Sequence, residues 1–166
     1  MPDLKKHTCC FTGHRDMPSD RKSDIRSQLK AAVERAIQNG YRFFGAGGAL
    51  GFDTMAAQTV LELKPQYPQI RLILVLPCVD QTAGWKQSDI DEYEHIKALA
   101  DKVIYTSKAY YSGCMFKRNR HLVNNSSLCI CYLTRRSGGT AYTVRYAENS
   151  GVFVENIASI LKSDHR

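Results

Sequence analysis

Apolar residues recur along this chain in two alternating rhythms. Ile25, Leu29, Val33 and Ile37 stand four residues apart and draw one stripe along a helix. Ser19 is placed to cap that helix, and Asn39-Gly40 to end it. Phe52–Lys64 reads as a second helix with Met55, Ala56, Val60 and Leu63 inward, closed by Pro65. A third runs from a cap at Ser88 or Asp89 to about Ala100, with Ile96 and Leu99 inward. Met115–Asn125 and Gly139–Ser150 read as two more. Between them lie short runs of strand character: His7–Phe11, Tyr41–Gly45, Ile70–Leu76, Lys102–Thr106, Leu128–Leu133 and Val152–Val154. The Ile70–Leu76 run is almost wholly aliphatic, which suits a strand covered on both faces. Ile157, Ile160 and Leu161 are placed to anchor a C-terminal turn.

Strand and helix in alternation predict an α/β, three-layer Rossmann-like fold: a mostly parallel central sheet flanked by helices, in a single domain over 1–166. In such sheets ligands bind beyond the carboxyl ends of the strands, where strand order reverses. The loops after the strands are therefore the candidate site.

Two of these loops are rich in glycine. After the second strand comes Gly45-Ala46-Gly47-Gly48-Ala49-Leu50-Gly51-Phe52-Asp53. After the fifth comes Thr134-Arg135-Arg136-Ser137-Gly138-Gly139-Thr140. Each leads into a helix N-terminus, whose exposed N–H groups attract anions. Neither reference phosphate motif is present. Leu50 replaces the third glycine of a dinucleotide fingerprint, and no Gly-Lys-Ser/Thr follows. Asp53 either supports its own helix dipole or accepts a hydrogen bond from a ligand hydroxyl. The loop after the first strand, Thr12-Gly13-His14-Arg15, adds a hydroxyl and a guanidinium able to hold phosphate. Pro77 and Gln81 follow the third strand, and Trp85 beyond them is placed either to stack on a base or to act as an apolar lid. Lys117, Arg118 and Arg120 bring three cations to the start of a helix, against its dipole, with Asn119 among them.

The formal net charge of +7 favours polyanionic partners, although the cations are spread along the chain. No apolar run is long enough to span a membrane, and Met1–Phe11 lacks a signal-peptide core, so the cytoplasm is the expected location. Of six cysteines, Cys9, Cys10, Cys129 and Cys131 fall in apolar strands, while Cys78 and Cys114 fall in expected loops. No C-x-x-C spacing is present, so no metal site is predicted, and since thiols stay reduced in the cytoplasm no disulfides are predicted either.

Taken together, T-G-H-R (Thr12–Arg15), G-G-A-x-G-x-D (Gly47–Asp53), the Gln81 to Trp85 region, Arg118-Asn119 and G-G-T (Gly138–Thr140) resemble the YpsA-like branch of the SLOG superfamily, from about Thr8 to Val154. The resemblance implies a Rossmann-like domain that binds nucleotides or their derivatives, with ADP-ribose-like signal molecules among the ligands proposed. It implies kinship with the LOG phosphoribohydrolases and the DNA-processing protein DprA. The chain departs from the LOG motif P-G-G-x-G-T-x-x-E: Ser137–Thr143 has no second glycine pair and no carboxylate, and the next acid is Glu148. Asp53 is then the one strong candidate for catalysis, if there is any. The expected function is binding, sensing or sequestration of a nucleotide-derived small molecule, with no further cofactor required. N-glycosidic hydrolysis is the first alternative and single-stranded nucleic-acid binding the second. Oligomeric state is left open, since relatives of this fold often pair through helices.

Overall fold

The computed structural model describes residues 4–163, with side chains described as far as Ile160. After a 3-10 turn at Leu4–His7, six strands alternate with six helices. The strands are β1 (Thr8–Gly13), β2 (Phe43–Ala46), β3 (Arg71–Leu76), β4 (Lys102–Tyr105), β5 (Leu128–Tyr132) and β6 (Phe153–Asn156). The helices are α1 (Lys22–Gln38), α2 (Phe52–Leu63), α3 (Gln87–Leu99), α4 (Cys114–Asn124), α5 (Gly139–Asn149) and α6 (Ile157–Ser163).

All six strands are parallel, in the order β4-β3-β2-β1-β5-β6. The chain winds outward from β1 to β4, then returns to lay β5 on the other side of β1. The switch point therefore lies between β1 and β5, with Phe11 beside Ile130 and Gly13 beside Tyr132. Aliphatic side chains bury both faces. The stripe Ile25, Leu29, Val33 and Ile37 packs α1 against Phe11, Phe44, Leu72 and Ile130, with α2 beside it. On the opposite face Cys10, Cys129 and Cys131 meet Leu122 and Val123 of α4 and Val144 and Ala147 of α5. These thiols serve as small core residues. Cys78 and Cys114, expected in loops, are fully buried as well, Cys114 as the first residue of α4.

Several local expectations need correction. Ser19 does not cap α1: it opens a 3-10 turn, Ser19–Arg21, and α1 begins at Lys22 with no side-chain cap. Neither Ser88 nor Asp89 caps α3, which starts at Gln87. Asp89 instead lies in its first turn, where its negative charge interacts favourably with the positive end of the helix dipole. Leu99, the last residue of α3, is exposed; Tyr93 and Ile96 form the buried face of this helix, which packs beside α2. Strand β6 starts one residue later than Val152 and runs to Asn156. The end of α1 conforms: Gly40 is left-handed (φ +94°), its N–H reaches Ile37, and the Tyr41 N–H returns to Ala36. Among the described residues no helix is long and apolar enough to cross a membrane.

Candidate functional site

Parallel strands deliver their following loops to one edge of the sheet, and here the loops after β1, β2 and β5 converge at the switch point. They enclose a cleft of about 280 Å³. Thr12, Gly13 and Arg15 line it from β1, Ala49 and Asp53 from β2, and Gly139 and Thr140 from the N-terminus of α5. The fourth wall is α4, through Met115, Arg118 and Asn119.

The glycines of the second loop are required by close approaches. Gly51 is left-handed (φ +81°), and a Cβ there would lie 2.1 Å from the backbone oxygen of Arg15. The loops of β1 and β2 thus touch backbone to backbone, and the Phe52 N–H donates to the His14 carbonyl at 3.1 Å. A Cβ on Gly13 would strike the Phe52 ring at 2.4 Å. By contrast nothing lies within 4 Å of a Cβ built on Gly138 or Gly139, so the α5 N-terminus is open to a ligand.

Asp53 and Arg118 meet across Gly47. A Cβ on Gly47 would lie 2.5 Å from Arg118 Nη1 and 2.8 Å from Asp53 Oδ2. Both residues are buried. Arg118 Nη1 donates to the Gly47 carbonyl, Nε to Asn119 Oδ1 at 2.7 Å, and Nη2 to Met115 Sδ at 3.8 Å. Burial is the largest influence on each. It raises the Asp53 carboxyl above its ordinary value, opposed by Arg118, the Ala49 N–H and Arg15. It lowers the Arg118 guanidinium, opposed by Asp53 and others. Asp53 Oδ2 accepts the Ala49 N–H at 3.3 Å, and the Thr54 hydroxyl donates to the Ala49 carbonyl at 3.0 Å. The glycine-rich turn is therefore held by two buried residues of opposite charge, Arg118 through the Gly47 carbonyl and Asp53 through the Ala49 N–H.

His14 is buried and faces inward. Its Nε2 accepts the Thr134 N–H at 2.9 Å, so the neutral ring carries its proton on Nδ1. Its edge rests on Tyr132 (ring centroids 5.8 Å apart). Burial and the nearby Arg135 lower its pKa. His14 thus ties the loop after β1 to the loop after β5 and is not on the cleft wall. Thr134, Arg135, Ser137 and Gly138 are exposed just outside the cleft. Pro77 and Gln81 are buried beyond the glycine turn, where Gln81 Oε1 lies 3.4 Å from a Cβ position on Gly48. Both polar atoms of the Gln81 carboxamide lack a hydrogen-bond partner. Trp85 is half-buried and packs edge-on against Tyr93, with centroids 5.6 Å apart, rather than facing the cleft. Met115 is the cleft residue that sequence reasoning missed. Its position one helical turn before Asn119 was the available signal.

The model of the YpsA family, described as the YspA SLOG family, matches residues 10–158. A UPF0398 protein of Bacillus thuringiensis is 31% identical over 145 residues, covering 84% of this chain and 78% of that protein. One from Bacillus pumilus is 30% identical over 128 residues, covering 75% and 69%. Among solved structures, DNA processing protein A (DprA) of Streptococcus pneumoniae superimposes with a TM-score of 0.67 at 16% identity. The match covers 91% of this chain, which spans only half (50%) of that protein. DprA of Helicobacter pylori, described with a single-stranded DNA binding mode, gives 0.65 at 16%, covering 97% and 74%. At such identity these structures speak for the fold. The family match, spanning most of the chain and including the three loops that build the cleft, carries the assignment: this chain belongs to the YpsA family of SLOG proteins.

Proposed function

We propose that the chain binds a nucleotide-derived small molecule, of the ADP-ribose or mononucleotide kind, in the cleft at the β1–β5 switch point. The observation that carries this reading is the convergence of an open helix N-terminus at Gly139-Thr140, an exposed Arg15 and a buried Asp53 on one cleft of about 280 Å³. Phosphate fits the N–H groups of the α5 N-terminus, with Arg15 as its cation. Arg118 is committed to Gly47, Asn119 and Met115 and holds the turn rather than the ligand. Asp53 spends Oδ2 on Ala49, which leaves Oδ1 to accept a ribose hydroxyl.

Hydrolysis has less support. Asp53 is the one carboxylate on the cleft wall, and cleavage of a glycosidic bond also calls for a group that serves the leaving base. Single-stranded nucleic acid is the second reading, favoured by the cations of α4 and by the fold shared with DprA. Calorimetric titration with ADP-ribose, AMP, ribose 5-phosphate and an oligothymidylate separates these readings. The proposal expects saturable binding of the small phosphates, lost in Arg15→Ala. Binding of the oligonucleotide alone, weakening steeply with salt, would transfer the assignment to nucleic acid.

A further inference from the structure

Beside the cleft, on the outer surface of α4 and α5, two aromatic rings stand exposed where a core would have buried them. Phe116 is 40% exposed and Tyr142 is 37% exposed. They meet edge to face, with centroids 4.9 Å apart and ring planes at 71°. Each belongs to the first turn or so of its helix, so both lie at the carboxyl end of the sheet, where the cleft opens. Their neighbours in sequence form the cleft wall: Met115 and Asn119 on α4, Thr140 on α5. Arg120 follows Phe116 by one helical turn and donates to the Tyr142 hydroxyl at 3.4 Å. From Cys114 to Asn124, α4 carries no carboxylate, and with Arg118 buried its outward cations are Lys117 and Arg120.

A paired aromatic surface within a cationic field, continuous with an anion-binding cleft, suits a π-faced anionic ligand. We propose that Phe116 and Tyr142 are the platform on which the base of the bound nucleotide stacks while its phosphate lies at Gly139-Thr140. This rests on the cleft reading above and adds to it the chemical class of the ligand: a phosphate that keeps its base, rather than a bare sugar phosphate. Stacking tolerates any base, so selectivity among bases is expected to be weak. Trp85, turned into the core against Tyr93, leaves this task to the exposed pair.

The test is calorimetry on the full chain with AMP and ribose 5-phosphate, which differ by the base alone. AMP is expected to bind about tenfold more tightly, within the range of a single base–aromatic stack. The double variant Phe116→Ala/Tyr142→Ala is expected to lower AMP affinity to that of ribose 5-phosphate and leave the latter unchanged. Tyr142→Phe keeps the ring and is expected to keep the preference. Equal affinities in the wild type, or an AMP preference that survives the double variant, would overturn the platform while the cleft stands. If neither compound binds, platform and cleft both fall. Both rings are partly in solvent, and melting of each variant checks that its fold is intact.

Discussion

Replacing Arg118 by leucine removes the cation that balances a buried carboxylate, and the consequence can be worked from the structure. Arg118 is 4% exposed and Asp53 7% exposed, and they face each other across the α-carbon of Gly47. Leucine fills part of the space but forfeits the charged hydrogen bond to the Gly47 carbonyl, worth roughly 1.5–3 kcal/mol. It also leaves Asp53 with the Ala49 N–H and the more distant Arg15 as its support. Losing that bond together with the coulombic support of Asp53, with which Arg118 makes no direct ion pair, is expected to cost about 2–4 kcal/mol. In a chain of this size that corresponds to a fall of roughly 10 °C in Tm. Urea denaturation at pH 7 measures it. The sign of the pH effect follows from Asp53, whose folded pKa is raised already and rises further without Arg118. The folded protein then takes up its proton before the unfolded chain does, so the loss is smaller at pH 5 than at pH 7. Asp53→Asn in the Arg118→Leu background is expected to recover at least ~1 kcal/mol, a coupling typical of groups in contact. A loss below ~1 kcal/mol in the single variant, or simple additivity in the double, would refute the view that this pair holds the glycine turn.

Other expectations follow from the same geometry. Gly51→Ala forces a Cβ against the Arg15 backbone at a left-handed φ and should cost more than ~2 kcal/mol in chemical denaturation, in line with strained, overpacked sites. Gly139→Ala meets open space, so its stability should stay within about 0.5 kcal/mol of wild type, while calorimetry should show weaker binding of ribose 5-phosphate because the methyl group crowds the helix N-terminus. The lowered pKa of His14 means that the unfolded chain protonates first as pH falls. Wild-type stability should therefore decline below about pH 6.5, and His14→Gln should flatten that decline in melts from pH 7.5 to 5.

Most of the fold was legible because its signals are local. The four-residue stripe of α1, the aliphatic run of β3 and the Asn39-Gly40 stop each follow from the geometry of one element. The glycine-rich loops were legible for the same reason, since a turn from strand to helix under close approach needs glycine wherever it occurs. What escaped was set by contacts distant in sequence. Ser19 has the chemistry of a cap, but the chain there tightens into a 3-10 turn before α1 begins. His14 looks like a ligand group between Gly13 and Arg15, yet its ring turns toward Thr134, 120 residues on. Trp85 has the chemistry of a base platform, but the apolar surface of Tyr93 draws it inward. Phe116 and Tyr142 gave no signal as a pair, because they stand on different helices, Phe116 beside cations on α4 and Tyr142 one turn before Tyr146 on α5. They become a feature only where α4 and α5 pack side by side.

An amide-resolved NMR titration with ribose 5-phosphate locates the ligand and so tests its placement in the cleft. Saturating shifts are expected at Gly13, Arg15, Ala49, Asp53, Gly139 and Thr140, which come from three loops far apart in sequence. Shifts centred instead on the apolar cavity of about 270 Å³ beneath α4, lined by Phe43, Ile73 and Ile104, or no shifts at millimolar ligand, would contradict that placement.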